Sequence, residues 1–141
     1  MNKLGAVISI FLVIIIVVCI FFISGSPSLR YKINTNNYKS KVIVKYKDGM
    51  PTTYKEKDKW IYNFNDMTSA EISYHSEYER YGVLISEKKA KISLRQNIVN
   101  KSIKYNFTKD NSSGEGLLLI NKTSNMKEAK KMLKERGYFC K

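Results

Sequence analysis

The stretch KVIVKYKDGMP, residues 41–51, decides the fold class of this chain. Its apolar residues alternate loosely with lysines, which is the period-two pattern of a strand with one buried face. The pair Asp48-Gly49 is a strong hairpin signal, and Pro51 breaks the pattern after it. The stretch therefore predicts an antiparallel hairpin near the start of a β-rich domain.

Further short patterns follow this hairpin, separated by turn residues. Residues 70–78 alternate apolar and polar side chains, which predicts a strand with one exposed face. In that strand Ile72, Tyr74 and Tyr78 share the buried side, and Glu71, His75 and Glu77 share the polar side. The other predicted strands are residues 60–64, 81–86, 90–94, 102–107 and 116–120, with a turn at residues 110–116 before the last.

One helix is predicted at residues 125–136. Ser124 or Asn125 can cap it, and Ala129 and Leu133 fall on its apolar side. Gly137 stands where a glycine ends many helices. Strands followed by one terminal helix predict an α+β fold, in which a small antiparallel β-sheet packs on a C-terminal helix.

The N-terminus carries a membrane signal. Residues 4–23, LGAVISIFLVIIIVVCIFFI, contain no charge and would span roughly 30 Å as a helix. A cleaved signal peptide has a shorter apolar region of ~7–15 residues, and Pro27 would obstruct cleavage after Ser26. We therefore expect an uncleaved transmembrane anchor. The predicted organisation is a lead at 1–3, the anchor at 4–23, a linker at 24–29 and a β-rich domain at 30–141.

The charge balance is strongly basic, with 25 Lys and Arg against 12 Asp and Glu. Basic residues concentrate in residues 30–59 and are interleaved with tyrosines, which is the composition of a single-strand nucleic-acid binder. Tyrosines on alternating strands, however, more often belong to the core. Lysines close to a bilayer can also rest on anionic headgroups, at ~1 kcal/mol each. We therefore favour the lipid bilayer over nucleic acid as a partner.

The sequence contains few residue patterns that are typical of catalytic sites. His75 is the sole histidine, and Cys19 and Cys140 are the only cysteines, so no metal-ligand spacing or disulfide framework is visible. The carboxylates of Glu71 and Glu77 lie among other charges on a predicted solvated face. The turn Gly114-Glu115-Gly116 lacks the lysine of a phosphate-binding loop. We predict no catalytic residue, no metal ligand, no cofactor site and no enzymatic activity.

Membrane orientation is left open by the sequence. Arg30, Lys32, Lys39 and Lys41 follow the predicted span closely, which by charge would place the domain in the cytoplasm. The short Met-Asn-Lys lead instead resembles an export signal. In a eukaryotic or viral protein, sequons would indicate a lumenal or extracellular face. They occur at Asn100, Asn106, Asn111 and Asn121.

The anchor at residues 4–23 and the segment at residues 81–121 resemble the FidL-like membrane proteins of enteric bacteria. The segment GVLISEKKAKISLRQNIVNKSIKYNFTKDNSSGEGLLLIN, from Gly82 to Asn121, carries the likeness. The resemblance covers about half of the chain. It implies a periplasmic domain on a bacterial inner-membrane anchor. It also implies a role beside a membrane-bound transcriptional regulator, as ToxS-type partners have.

These observations give three classes of function. The first is a single-pass, membrane-anchored, non-enzymatic accessory protein that binds another membrane or envelope protein. The second is an exclusion or immunity protein of a mobile element, and the third is a viral envelope glycoprotein. Neighbouring genes separate the first two classes, and glycosidase treatment tests the third.

Overall fold

The structure, a computed structural model, describes residues 26–110 and 113–140. Six antiparallel strands form one sheet in the order β4-β5-β3-β2-β1-β6. The elements, in chain order, are β1 Ser28–Asn34, β2 Tyr38–Lys47, β3 Met50–Ile61, α1 Met67–Arg80, α2 Gly82–Ser86, β4 Ala90–Arg95, β5 Ile98–Asn106, a 3-10 helix Ser113–Leu117, α3 Met126–Glu135 and β6 Phe139–Cys140.

The predicted hairpin is confirmed and joins β2 to β3. Asp48 and Gly49 have φ angles of 52° and 79°, the left-handed pair that a two-residue hairpin turn requires. Pro51 does not end the strand pattern as expected, because it lies within β3. It is tolerated there beside a bulge in β2 between Lys45 and Tyr46.

The core lies on one face of the sheet. Alternate residues of the central strands are buried there, including Val42, Val44, Tyr54 and Ile103. The helices cover this face. Ala70 of α1 and the buried α3 residues, Ala129 and Leu133, belong to the same core. The domain therefore has two layers, one of helices and one of sheet, and the sheet's second face is uncovered by any described element.

The predicted terminal helix is confirmed as α3. Asn125 accepts hydrogen bonds from the backbone of Lys127 and Glu128, and the Glu128 side chain accepts one in return from the Asn125 backbone. Gly137 follows the helix with a φ of 83°, the left-handed conformation that glycine adopts without strain. The chain then returns to the sheet, where β6 pairs with β1.

The prediction of a strand at residues 70–78 is wrong, because this segment belongs to the helix α1. Asp66 caps the helix by accepting a hydrogen bond from the backbone of Ser69. Tyr74 follows Ala70 by four positions and Tyr81 follows Tyr74 by seven, which are one and two helical turns, so a helix brings them to the core side. Ile72, expected inside, is 64% exposed.

Two more predicted strands are also corrected. Residues 81–86 contain α2, and its Leu84 is fully buried. Residues 116 and 117 end a 3-10 helix, and residues 118–120 follow it without joining the sheet, although Leu118 and Ile120 are buried in the core. Short apolar runs of this kind predict burial reliably, but they do not distinguish a strand from a helix or a buried loop.

The remaining boundaries shift in smaller ways. The strand expected at residues 60–64 is the end of β3, which stops at Ile61, and Phe64 is 68% exposed. Strand β1 begins at Ser28, within the predicted linker. The fold class is α+β as expected, but α1 and α2 accompany the one predicted helix.

The predicted anchor at residues 4–23 lies outside the described residues. Across 26–110 and 113–140, no helix has the length and apolar character that a membrane crossing needs.

Candidate anion-binding face and buried charge cluster

Strand β3 sorts its charges between the two faces of the sheet. Its centre reads KEKDK, residues 55–59, so the lysines and the acids alternate. Because successive side chains of a strand point to opposite faces, Glu56 and Asp58 are buried under the helices, whereas Lys55 and Lys57 are exposed on the uncovered face. One strand therefore supplies both a buried charge cluster and part of a basic surface.

The pairing of the strands places lysines beside one another on the uncovered face. Lys41 is the register partner of Lys32 on one side and of Lys57 on the other. The row continues through Ser102 to Lys91. Register partners have Cβ atoms about 4.5–5.5 Å apart, and like charges directly opposite each other repel. The row therefore holds a concentrated positive charge that an external anion would stabilise.

The remaining side chains of this face also carry positive charge without negative charge. In the described strands, no Asp or Glu points to the uncovered side. None of the four lysines in the row has a described carboxylate oxygen within 4.0 Å of its Nζ, the distance that defines an ion pair. We call this surface the basic face. Its cations are Arg30, Lys32, Lys39, Lys41, Lys45, Lys55, Lys57, Lys59, Lys91, Arg95 and Lys104.

The basic face contains an open groove with a volume of about 540 Å³. Hydrogen-bonding residues, Ser93, Asn100 and Ser102, lie on its β4–β5 side. Lysines from four strands surround them. The groove thus combines donors for hydrogen bonds with a ring of ammonium groups, which is suited to oxyanions. The lysines of the uncovered face that line it are Lys32, Lys39, Lys41, Lys57, Lys59 and Lys91; its lining also includes Ser40, Asp58 and Lys101, whose side chains point to the core.

The aromatic residues interleaved with these lysines lie on the opposite face. Tyr31, Tyr46 and Tyr54 are buried in the core, and Trp60 packs against Tyr38 with ring centroids 5.4 Å apart. Recognition of single-stranded nucleic acid relies on aromatic platforms beside the cations. The strands β1, β2 and β3 separate the two residue types, so their outward side presents charge without those platforms.

The buried charge cluster is centred on Lys101 of β5. Its Nζ lies 2.9 Å from Oε1 of Glu56 and 2.8 Å from Oδ2 of Asp58. The same atom donates a hydrogen bond of 3.1 Å to the Tyr81 hydroxyl and lies 4.4 Å from that ring's centroid. Oε2 of Glu77, in α1, lies 3.7 Å from the same Nζ. The cluster therefore links the sheet to α1 and the turn that follows it.

Hydroxyl groups complete the cluster. Tyr54 donates a hydrogen bond to Glu56. Ser40 donates one of 2.5 Å to Asp58 and lies 2.7 Å from the hydroxyl of Tyr138. Both carboxylates on β3 thus have partners besides Lys101, as buried charges require.

Burial controls the protonation of this cluster. It raises the pKa of Glu56 to about 7, assisted by the neighbouring Asp58 and opposed by Lys101. For Lys101, burial acts to lower the pKa, but Glu56 and Asp58 outweigh it and the net shift is upward. Burial also raises the pKa of Tyr54, to which Glu56 adds. Lys101 therefore stays charged, while Glu56 titrates near neutral pH.

The residues considered from the sequence as catalytic groups, metal ligands or a phosphate-binding turn lie apart from both features, with one exception. His75 and Glu71 are exposed on α1, Cys140 is exposed in β6, and Gly116 lies in the 3-10 helix rather than in a hairpin turn. The exception is Glu77, which faces Lys101. Asn100 and Asn106 lie in β5, and Asn121 is exposed after the 3-10 helix.

The charge cluster is not among the features predicted from the sequence, although the sequence contains a signal of it. The segment between Tyr54 and Trp60 contains no apolar residue, so hydrophobic alternation does not identify it as a strand. Its strict alternation of lysine and acid is itself a period-two pattern. Read that way, it would have placed Glu56 and Asp58 on one face and Lys57 on the other. Lys101 likewise falls in the period-two series of Val99, Ile103 and Tyr105, the apolar residues of its strand.

Comparison with known proteins extends only to the fold. No family model matches the chain, and neither does any curated protein. Among solved structures, the chain is similar to the Escherichia coli protein YehR, determined by NMR, with a TM-score of 0.53 and 11% identity. The match covers 81% of this chain and 89% of YehR. At that identity the likeness shows that the two proteins share a fold.

Proposed function

We propose that this chain is a single-pass, membrane-anchored, non-enzymatic accessory protein whose extramembrane domain binds an anionic partner through the basic face. The observation that carries the proposal is the row of neighbouring lysines without an acidic residue on the same side of the sheet. Like charges held side by side cost stability in the isolated domain. Their presence on one face is explained most simply by a ligand of opposite charge.

The buried charge cluster supports the non-enzymatic part of the proposal. Lys101, Glu56 and Asp58 bind one another on the helix side of the sheet, and each is at most 5% exposed. Their contacts join β3, β5 and α1, which is a structural role. The groove of the basic face, in contrast, offers lysine, serine and asparagine side chains suited to binding.

The membrane part of the proposal rests on residues 4–23. The uncharged run of twenty residues has the length of a bilayer-spanning helix. The FidL-like resemblance suggests a bacterial inner membrane, a periplasmic domain and a regulator as the neighbouring envelope protein. Fusing alkaline phosphatase, or a fluorescent protein active only in the cytoplasm, after Lys141 tests this orientation. Phosphatase activity supports the periplasmic side, and fluorescence alone contradicts it.

Binding through the basic face is tested with the full chain in neutral detergent and fluorescent poly-glutamate as a model anion. We expect binding that weakens as salt is added, because exposed charges are screened. The variant Lys41→Glu/Lys57→Glu should lose most of the affinity. The matched control is Lys130→Glu/Lys134→Glu, which makes the same charge change on α3 and should bind like wild type. Equal binding by both variants contradicts the proposal.

A further inference from the structure

The chemistry of the basic face restricts the kind of anion that it fits. Its groove is lined by lysines, and arginine occurs only outside it, at Arg30 and Arg95. Arginine forms planar, bidentate contacts with one defined carboxylate or phosphate, whereas lysine acts as a hydrated point charge on a flexible stem. A lysine array therefore suits many similar, mobile anions better than one rigid acidic partner.

The position of the face along the chain restricts the anion further. The predicted anchor ends at Ile23, and Arg30, the first cation of the basic face, follows seven residues later. Even a fully extended chain of that length reaches at most about 25 Å. The headgroups of the anchoring membrane are thus permanently within reach, and tethering raises their effective concentration.

The rim of the face adds an apolar contact. Phe139 of β6 is the register partner of Lys32, is 46% exposed, and lies beneath the lysine at 5.4 Å from Nζ to the ring centroid. Surfaces that bind a bilayer from one side combine Lys or Arg with an apolar residue such as Phe, which reaches the boundary between headgroups and acyl chains.

We infer that the basic face docks on anionic phospholipid headgroups of the membrane in which the chain is anchored, with phosphate groups received in the lysine-lined groove. The inference rests on the proposed function and names its ligand. Nucleic acid fits less well, because Tyr31, Tyr54 and Trp60 point away from this face, and among the described strands Phe139 at its rim is the one aromatic ring left to it.

The test uses lysine acetylation of the full chain in lipid nanodiscs, read by mass spectrometry. The discs contain phosphatidylcholine alone or an equal mixture with phosphatidylglycerol. We expect Lys41 and Lys57 to react several-fold more slowly in the anionic discs, and added salt to reverse the protection. Lys127, Lys130 and Lys134 on α3 are internal controls and should react equally in both discs. Equal rates at Lys41 and Lys57 would overturn the inference.

Two further probes separate this inference from the proposed function. Poly-glutamate or oligothymidylate is added to the neutral discs, and the same lysines are followed. If either probe protects Lys41 and Lys57 but anionic discs do not, the lipid inference fails while anion binding by the face stands. If no anion protects them, both fail.

Charge reversal checks that the protection arises at this face. In Lys41→Glu/Lys57→Glu, the neighbouring Lys39 and Lys59 should lose their protection in anionic discs. In Lys130→Glu/Lys134→Glu they should keep it. Protection that survives the first variant would overturn the inference. The wild-type measurement stands independently should that variant fold poorly.

Discussion

At the scale of the residue, Lys101 is the cation at the centre of the buried charge cluster. It is buried with a side-chain exposure of 5% and contacts Glu56, Asp58, Glu77 and the ring of Tyr81. A buried carboxylate is costly unless it is paired. The lysine therefore stabilises the domain by neutralising acids that the fold has already removed from water.

Replacing Lys101 with methionine should strongly destabilise the domain. The change keeps much of the side-chain volume but leaves Glu56 and Asp58 without their cation, at a cost of about 3–5 kcal/mol. The free energy of unfolding, from chemical denaturation in neutral detergent, gives the measurement. Lys104→Met, on the exposed side of the same strand, is the control and should change little. Similar losses in both variants would contradict the assigned role.

Glu56 should make stability depend on pH. Its pKa rises from the usual 4.5 to about 7 in the folded state. Between these values the folded chain holds a proton that the unfolded chain has released, so the free energy of unfolding falls as the pH rises. The fall attributable to Glu56 is on the order of 3 kcal/mol.

Glu56→Gln tests this dependence because glutamine stays neutral throughout the range. Denaturation curves from about pH 5 to pH 8 should show a shallower decline for Glu56→Gln than for wild type. The exposed substitution Glu71→Gln should keep the wild-type slope. A wild-type slope in Glu56→Gln would mean that other groups cause the pH dependence.

At the scale of the element, β2 and β3 use alternation to separate two kinds of surface. Their inward residues build the core and the charge cluster, and their outward residues build the basic face. The lysine row crosses the two strands and continues to their neighbours. The repulsion between its lysines therefore depends on how the strands pair rather than on any one strand.

Lys41→Glu should stabilise the isolated domain. The substitution turns two repulsive neighbours, Lys32 and Lys57, into attractive ones, with a gain of about 0.2–1 kcal/mol per pair. A thermal melt in neutral detergent at low salt should show a higher Tm, and added salt should remove the difference. Lys130→Glu on α3 is the control. A lower Tm for Lys41→Glu would show that the row is not under repulsion.

The elements also show which features the sequence predicts and which it does not. The hairpin at Asp48-Gly49 and the capped helix α3 are local, because their signals lie within a few residues. The α1 segment was misassigned because Tyr74 and Tyr78 satisfy both a two-residue and a helical spacing. The basic face was foreseen only as a charge-rich segment. Its row depends on the register between strands distant in sequence, which residue patterns alone do not give.

At the scale of the whole molecule, the described residues contain a complete core. Residues from β1 to α3 contribute to one cluster, and the β1 residues Leu29 and Tyr31 belong to it. The charge cluster and the basic face occupy opposite sides of a single sheet. Any change that shifts strand register would therefore disturb both.

A fragment of residues 26–141 should fold without the predicted anchor. Its strands and helices bury their apolar faces against one another, so circular dichroism should show a cooperative thermal transition. A shorter fragment beginning at residue 35 lacks β1, removes Leu29 and Tyr31 from the core, and leaves β6 without its partner strand. It should unfold without cooperativity. A disordered 26–141 fragment would contradict the independence of the domain.

The edges of the sheet bear on how copies of the domain behave at high concentration. Within the described sheet, β4 pairs with β5 on one side only, and it carries Lys91 and Arg95 along its length. At the other edge β6 has two residues. If the β4 strands of two copies paired antiparallel, their cations would be brought close together, and β6 is too short to template an added strand. Such edges are typical of proteins that resist edge-to-edge aggregation, so crowding should not assemble these domains into continuous fibres.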